Sequence, residues 1–287
     1  MFDHIECFYQ PTTLHEALLL LRKVGKHGRI VAGATDIVTQ GDRSARFLVD
    51  ITRLGLNYVR GNKRECVIGA TATMAELEHS LVIRALADGI LAKAAATCGS
   101  IQNRNMATVG GNLANASPAA DTAAVLLALG AQIVVASSRR TRKVALDEFY
   151  SGPHQSSLNG ELLTEIVIPA LPSGGRMGWS FQKLGRTETD ISLVNVAAGL
   201  QADARGRAKW ARLALGAAGP TPLRAWNAEE LLLGNALNED LLTRVGEAVM
   251  KEVSPISDSR ASAEYRREMS AVLTRRAVRE CAAACEM

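Results

Sequence analysis

The chain is poor in the residues from which common catalytic and metal centres are built. Its five cysteines, Cys7, Cys66, Cys98, Cys281 and Cys285, are scattered, odd in number and include no C-x-x-C pair. Only Cys281 and Cys285 share a helical face at i,i+4, and two thiols fall short of the four ligands of a structural zinc or an iron–sulfur cluster. Reduced, structural thiols are therefore expected. The histidines His4, His15, His27, His79 and His154 show no metal-ligand spacing. No apolar run reaches the roughly 20 residues that span a bilayer. The opening Met1-Phe2-Asp3-His4-Ile5-Glu6 has neither the basic nor the apolar segment of a secretory leader, so a cytoplasmic protein is expected. Aromatics make up only 4% of the chain and the net charge is a mild +4. Arginines concentrate only near the C-terminus (Arg260, Arg266, Arg267, Arg275, Arg276, Arg279), which reads as a solvated helix face or a partner contact rather than a nucleic-acid surface. Internal repeats, low-complexity segments, the G-x-G-x-x-G fingerprint and the P-loop lysine are all missing, which disfavours the two commonest nucleotide folds.

What is present is an ordinary globular composition, 47% hydrophobic and 22% charged, over 287 residues, enough for two modest domains. Two glycine turns stand out. Thr108-Val109-Gly110-Gly111-Asn112 runs on through Asn115 to Ser117-Pro118-Ala119-Ala120-Asp121, and Asp121 opens an apolar helix. Adjacent glycines let a ligand approach the backbone closely, the flanking Thr, Asn and Ser supply uncharged donors, and a helix start favours an anion. Upstream, Ala32-Gly33-Ala34-Thr35-Asp36 follows a short apolar strand and precedes Ile37-Val38. Taken alone, each turn is ordinary structural chemistry; together they point to a phosphate-bearing ligand between two α/β units.

The spacing of apolar residues supports that division. A β-α-β-α-β unit fills about residues 1–55, with strands at Glu6–Tyr9, up to Ala32 and at Phe47–Ile51. A second unit, about 56–172, holds the strand Cys66–Ala70, a helix opened by the Thr73/Glu76 capping pair, the hairpin Gln132–Ala136 with Lys143–Leu146, and the strand Glu165–Ile168. Leu171-Pro172-Ser173-Gly174-Gly175 is the domain boundary. Beyond it, residues 176–287 read as three strands followed by three helices, a smaller α+β domain.

With these residues assembled, the chain resembles the FAD-binding middle subunit of the molybdenum hydroxylases, the xanthine dehydrogenase and carbon monoxide dehydrogenase family. The resemblance runs from Tyr9-x-Pro11 through both glycine turns and Glu161-Leu162-Leu163-Thr164-Glu165-Ile166 to Phe181-Gln182-Lys183-Leu184-Gly185-Arg186 and Asp190-Ile191-Ser192. It implies an α+β protein, with a two-subdomain FAD-binding domain of the PCMH/VAO-like type and a C-terminal domain of the carbon monoxide dehydrogenase flavoprotein type. It also implies non-covalent FAD, with its diphosphate held by the amides of Val31, Ala32, Gly33, Ala34, Thr35 and Asp36 and of Thr108, Val109, Gly110, Gly111 and Asn112, the hydroxyls of Thr35 and Thr108 assisting, and with Ile37 and Ser117 among the cofactor-binding residues. Asp121 would accept from a flavin hydroxyl, and Leu163 and Lys183 would lie near the flavin; on the residues alone, Asp121 is a helix-start acid and Lys183 a surface lysine. Where the family usually has a second glycine, this chain has Ala34. If that position needs a positive φ, the methyl costs on the order of 1 kcal/mol.

The function implied is an electron outlet. Electrons from two iron–sulfur clusters in a small subunit, fed by a molybdopterin centre in a large subunit, would reach FAD here and leave to NAD+ or another acceptor, the assembly being a dimer of heterotrimers. No catalytic residue and no metal ligand is expected on this chain. A stand-alone FAD-dependent oxidoreductase of related fold and a cofactor-free assembly module stay open as alternatives, and the substrate of the complex is not encoded here.

Overall fold

The computed structural model describes residues 4–286; Met1 to Asp3, part of the stretch read for a leader, and Met287 lie outside the described residues. The first unit is a parallel sheet of β1 (Cys7–Tyr9), β2 (Gly28–Val31) and β3 (Phe47–Asp50), in the order β1-β3-β2, with α1 (Leu14–Val24) and α2 (Thr35–Gln40) as its connections. Helix α1 starts where Thr13 Oγ1 accepts from the Glu16 amide at 3.2 Å, and it ends at Gly25, whose φ of 53° only glycine adopts without strain. Its face Ala17, Leu18, Leu21 and Val24 is buried.

The second unit is an antiparallel sheet ordered β4-β5-β10-β6-β7: β4 (Val59–Gly61), β5 (Glu65–Gly69), β6 (Gln132–Ala136), β7 (Thr141–Ala145) and, at its centre, β10 (Leu162–Pro169). A side hairpin pairs β8 (Tyr150–Gly152) with β9 (Gln155–Ser156). The helices of this unit are α3 (Met74–His79), α4 (Leu81–Ala85), α5 (Ile90–Ala96), α6 (Ile101–Met106), α7 (Val109–Ala114), α8 (Asp121–Ala128) and α9 (Leu146–Phe149). The capping pair at Thr73 and Glu76 forms in both directions. Two sequence readings are corrected here. The stretch Thr108–Asn112 is not an open loop but a capped helix start. Strand β10 begins three residues before Glu165, because a register shift at Thr164 hides its alternation.

The C-terminal unit is an antiparallel sheet of β11 (Met177–Leu184), β12 (Val194–Ala202), β13 (Ala208–Gly216) and β14 (Leu223–Arg224), covered by α10 (Trp226–Leu232), α11 (Glu239–Glu252) and α12 (Ala263–Glu286). The two-residue β14 extends the expected three-stranded sheet to four; it is too short to leave a periodic signal. Every residue of α8 is buried, as its apolar sequence requires. It packs on α5 on one side and on β12 and β13 on the other, so the C-terminal sheet shares a core with the second unit. Trp179 and Trp210 meet edge to face across that sheet, 5.5 Å between ring centroids. Among the described residues no helix is long and apolar enough to cross a membrane, and no group of three or more His, Cys, Asp or Glu could hold a metal.

Candidate functional site

A cleft of about 950 Å³ opens where the three units meet, at the large end of the roughly 300–1,000 Å³ usual for small-molecule sites. One wall is the turn from β2 into α2. Gly33 sits where the first unit touches the second: a Cβ there would collide with the backbone carbonyl of Met106. Ala34 follows in the left-handed region, φ 57° and ψ 5°, as the N-cap of α2 with no side-chain cap bond. The first helical bond is donated by Val38 to the Ala34 carbonyl, which leaves the amides of Thr35, Asp36 and Ile37 with no protein acceptor among the described residues. They line the cleft together with Ala32 and Gly33.

The opposite wall is α7 and the connection to α8. Here the amides are taken by the fold: Val109 donates to Ala72 and Gly110 to Ala70, both at 2.9 Å, Gly111 to the Thr108 hydroxyl at 3.1 Å, and Asn112 to the Thr108 carbonyl at 2.9 Å. The two glycines have different reasons. A Cβ on Gly110 would stand 2.6 Å from the Ala70 carbonyl oxygen, whereas one on Gly111 would meet only the Thr108 hydroxyl, at 2.9 Å. Gly110 therefore serves packing, and Gly111 leaves that wall smooth. Of the amides expected to grip a diphosphate from Thr108 to Asn112, those of Val109 to Asn112 are thus engaged, that of Thr108 has no protein acceptor among the described residues, and the unpartnered run lies on α2.

Of the remaining sequence-derived residues, Ser117 and Leu163 line the cleft, while Val31 is buried in its strand and does not. Asp121 lines it too, but its carboxylate is saturated: Oδ1 accepts from Ser192 Oγ at 2.5 Å and Asn195 Nδ2 at 2.9 Å, and Oδ2 from Lys183 Nζ at 2.7 Å and Thr97 Oγ1 at 3.3 Å. Lys183 does not line the cleft; its ammonium is buried between Asp121 and the Thr97 carbonyl, 2.9 Å away. Strand register explains this, since Lys183 lies opposite Asn195 in the β11–β12 ladder and both reach the start of α8. The Asn112 side chain is likewise engaged, accepting from Thr122 Oγ1 at 2.6 Å.

Several cleft residues were not among the expected site residues. Gln40 on α2 donates to the Asn115 side chain at 3.1 Å, tying the two walls together. His154, in the β8–β9 turn at φ 55°, places Nδ1 3.1 Å from the Asn115 carbonyl. Ile191, Ser192 and the segment from Ile256 to Arg266 bring in the C-terminal unit. Burial in the cleft raises the Asp36 carboxyl above its ordinary pKa, with His154 nearby opposing the shift. The Cys98 thiol is pushed up to about 12 by burial and then by the Asp121 charge, so it stays protonated and inert.

Residues 2–171 match the family described as "FAD binding domain in molybdopterin dehydrogenase", and residues 179–281 the one described as "CO dehydrogenase flavoprotein C-terminal domain". The glyceraldehyde dehydrogenase medium chain of Sulfolobus acidocaldarius is 34% identical, over 96% of this chain and 98% of that one. The xanthine dehydrogenase FAD-binding subunit of Escherichia coli O157:H7 is 33% identical, over 99% and 98%. A crystal structure of the Cu,Mo-CO dehydrogenase in its cyanide-inactivated form contains a chain that superimposes with a TM-score of 0.93 at 31% identity, covering 99% of this chain and 100% of that one.

Proposed function

This chain belongs to the FAD-binding medium subunits of the molybdenum hydroxylases, and on that premise we propose that it is the electron outlet of a multisubunit dehydrogenase. In this reading a small iron–sulfur subunit delivers electrons to FAD on this chain, a large molybdopterin subunit reduces the clusters, and NAD+ or another acceptor takes the electrons away. The assembly is then a dimer of such heterotrimers in the cytoplasm, its FAD-binding domain spanning about residues 1–172 and its C-terminal domain 176–287. FAD supplies the exchange between carriers of one and of two electrons.

The observation that carries the proposal is the run of unpartnered amides from Thr35 to Ile37 opposite the smooth, cap-stabilised face of Gly111. That donor set is neutral, preformed and facing a cleft of about 950 Å³, which suits the diphosphate of a large cofactor. On the FAD-binding reading, Ala32 to Ile37 hold the diphosphate, and Thr108, Gly111, Asn112 and Ser117 shape the facing wall. Leu163 packs against the ring end, and Asp121 with Lys183 fixes the C-terminal strands that close that end. None of these residues has to act as acid, base or nucleophile, which suits a subunit that positions a carrier and excludes water around it.

The relatives' names carry glyceraldehyde and xanthine at 34% and 33% identity, so similarity at this level does not select a substrate. The test is an absorption spectrum of the complex purified through a tag on this chain, with mass spectrometry of what accompanies it. Acid-releasable flavin together with a large and a small partner is expected. Flavin on a solitary chain would point to a stand-alone oxidoreductase, and a colourless complex would refute the cofactor reading.

A further inference from the structure

The three units are not joined alike. The second and third share a core, in which Trp179, Ala197 and Ala214 of the C-terminal unit pack among the residues of the second. The first keeps a core of its own: Leu18, Leu21, Val24, Val49 and Ile51 cluster with only Ala136 and Leu162 from beyond residue 55, and no strand of its sheet pairs outside it among the described residues. It is attached by a single passage of the chain. On one side of that passage the Leu54 amide donates to the Ile51 carbonyl at 3.2 Å; on the other the carbonyls of Leu56 and Tyr58 accept from the amides of Thr71 and Gly69, at 3.1 and 2.9 Å. Gly55 lies between these anchors at φ 70°, with open space where a Cβ would stand.

Across the cleft the first unit is tied by one bond. Gln40 Nε2 donates to Asn115 Oδ1 at 3.1 Å, and among the described residues this is the one hydrogen bond from residues 5–55 into the rest of the chain. Both residues line the cleft, from opposite walls. The two ends differ in how firmly they are held. Asn115 is fixed by its amide, which donates to the Gly111 carbonyl at 2.9 Å, and by its own carbonyl, 3.1 Å from His154 Nδ1. Gln40 is exposed and ends α2, where Gly41 turns the chain away at φ 62°. A bond between neutral side chains within reach of water contributes little net energy, because water competes for both partners. It opens readily, whereas parting Leu18, Leu21 and Val49 from Ala136 and Leu162 would expose apolar surface.

We propose that the first unit is a flap hinged at Gly55 and pivoting on Ala136 and Leu162, and that the Gln40–Asn115 bond is the latch that sets how often the cleft opens to exchange its occupant. The proposal rests on the FAD reading above for the identity of that occupant. The latch joins protein to protein, so it favours the closed form by the same factor whether or not a cofactor is bound. Opening is needed both to load and to release the cofactor. Removing the latch therefore speeds both steps together and leaves the affinity unchanged.

The test is stopped-flow flavin fluorescence on the whole chain stripped of its cofactor, reading FAD association directly and release after trapping freed FAD with excess apo-D-amino-acid oxidase. Gln40→Ala should raise both rate constants by one factor, about two- to tenfold, the range of a single net hydrogen bond, with Kd within about twofold of wild type. Gln40→Lys combined with Asn115→Asp puts an ion pair across the same gap and should return both rates toward wild type. Thermal melts report whether each variant is folded. Faster release at an unchanged association rate would make Gln40 a direct contact of the ligand and would overturn the proposal, as would wild-type rates in Gln40→Ala. Failure of the folded wild-type chain to bind FAD would overturn the functional reading, and the latch with it.

Discussion

Replacing Ala34 with glycine should stabilise the chain and leave its cofactor site intact. Ala34 holds φ 57° and ψ 5°, a left-handed conformation that costs an alanine roughly 1–2 kcal/mol. Glycine removes that cost but adds about 0.4–1 kcal/mol of unfolded-state entropy. The net expectation is a gain of roughly 0.5–1 kcal/mol, or a rise in Tm of about 1–4 °C for a chain of this size. Ala116 and Ala217 also have positive φ, at 51° and 57°, but both are buried, so glycine there also discards packed methyl surface. Ala34 is only partly buried and loses less. Thermal unfolding of Ala34→Gly, Ala116→Gly and Ala217→Gly should therefore rank Ala34→Gly as the most stabilising. FAD affinity of Ala34→Gly should match or exceed wild type, because the backbone that presents the Thr35–Ile37 amides is then unstrained. A fall in Tm together with weaker FAD binding would mean that the turn does not need this conformation, and the reasoning would fail.

The neighbouring position should behave in the opposite way: Gly33→Ala drives a Cβ into the Met106 carbonyl, backbone against backbone, and should cost at least the 1–3 kcal/mol of an overpacked site together with most FAD binding, read by denaturant midpoint and flavin content. Lys183→Met should destabilise by about 3 kcal/mol, because Asp121 keeps its neutral donors but is left a buried charge; adding Asp121→Asn should recover part of the loss, and a cost below about 1 kcal/mol would refute the role given to the pair. Burial works to raise the Asp258 carboxyl, but the amides of Arg260 and Ala261 and the Arg266 guanidinium outweigh it and hold the pKa well below the ordinary 3.8. A depressed folded-state pKa gives stability that is complete above the unfolded value and is lost as pH falls. Melting temperature should thus drop on acidification below about pH 4, and Asp258→Asn should flatten that limb.

Much of the architecture was legible because it is written in local terms. The apolar run after Asp121 could only be a buried helix, Thr13 and Thr73 announced their helices by cap chemistry, and β1 to β3 alternate with helices at the spacing of parallel strands. The site was half legible. The glycines marked the right two walls, yet the sequence could not say which amides remain unpartnered. Val109 and Gly110 donate to Ala72 and Ala70 respectively, nearly forty residues upstream, and that pairing exists only once β5 is in place. Lys183 and Asn195 converge on Asp121 only through the register of a hairpin in the other domain. His154 had no local signal at all, being one histidine in a polar turn until the fold sets it against Asn115.

These non-local contacts bear on how the subunit works. Three of the four groups that donate to Asp121 belong to the C-terminal unit, and that unit also supplies Ile191, Ser192, Ile256 and Arg260 to the cleft. Helix α8, buried on every side, therefore transmits the placement of β11 and β12 to the very residue at which the cleft begins. A domain that merely followed the cofactor-binding domain in sequence would need no such buried ion pair, whose removal costs more than its formation gains. Its presence argues that the C-terminal unit fixes the far wall of the cleft, which is formed there by the β11–β12 connection from Thr189 to Ser192 and by residues between Ile256 and Arg266 rather than by the glycine turns.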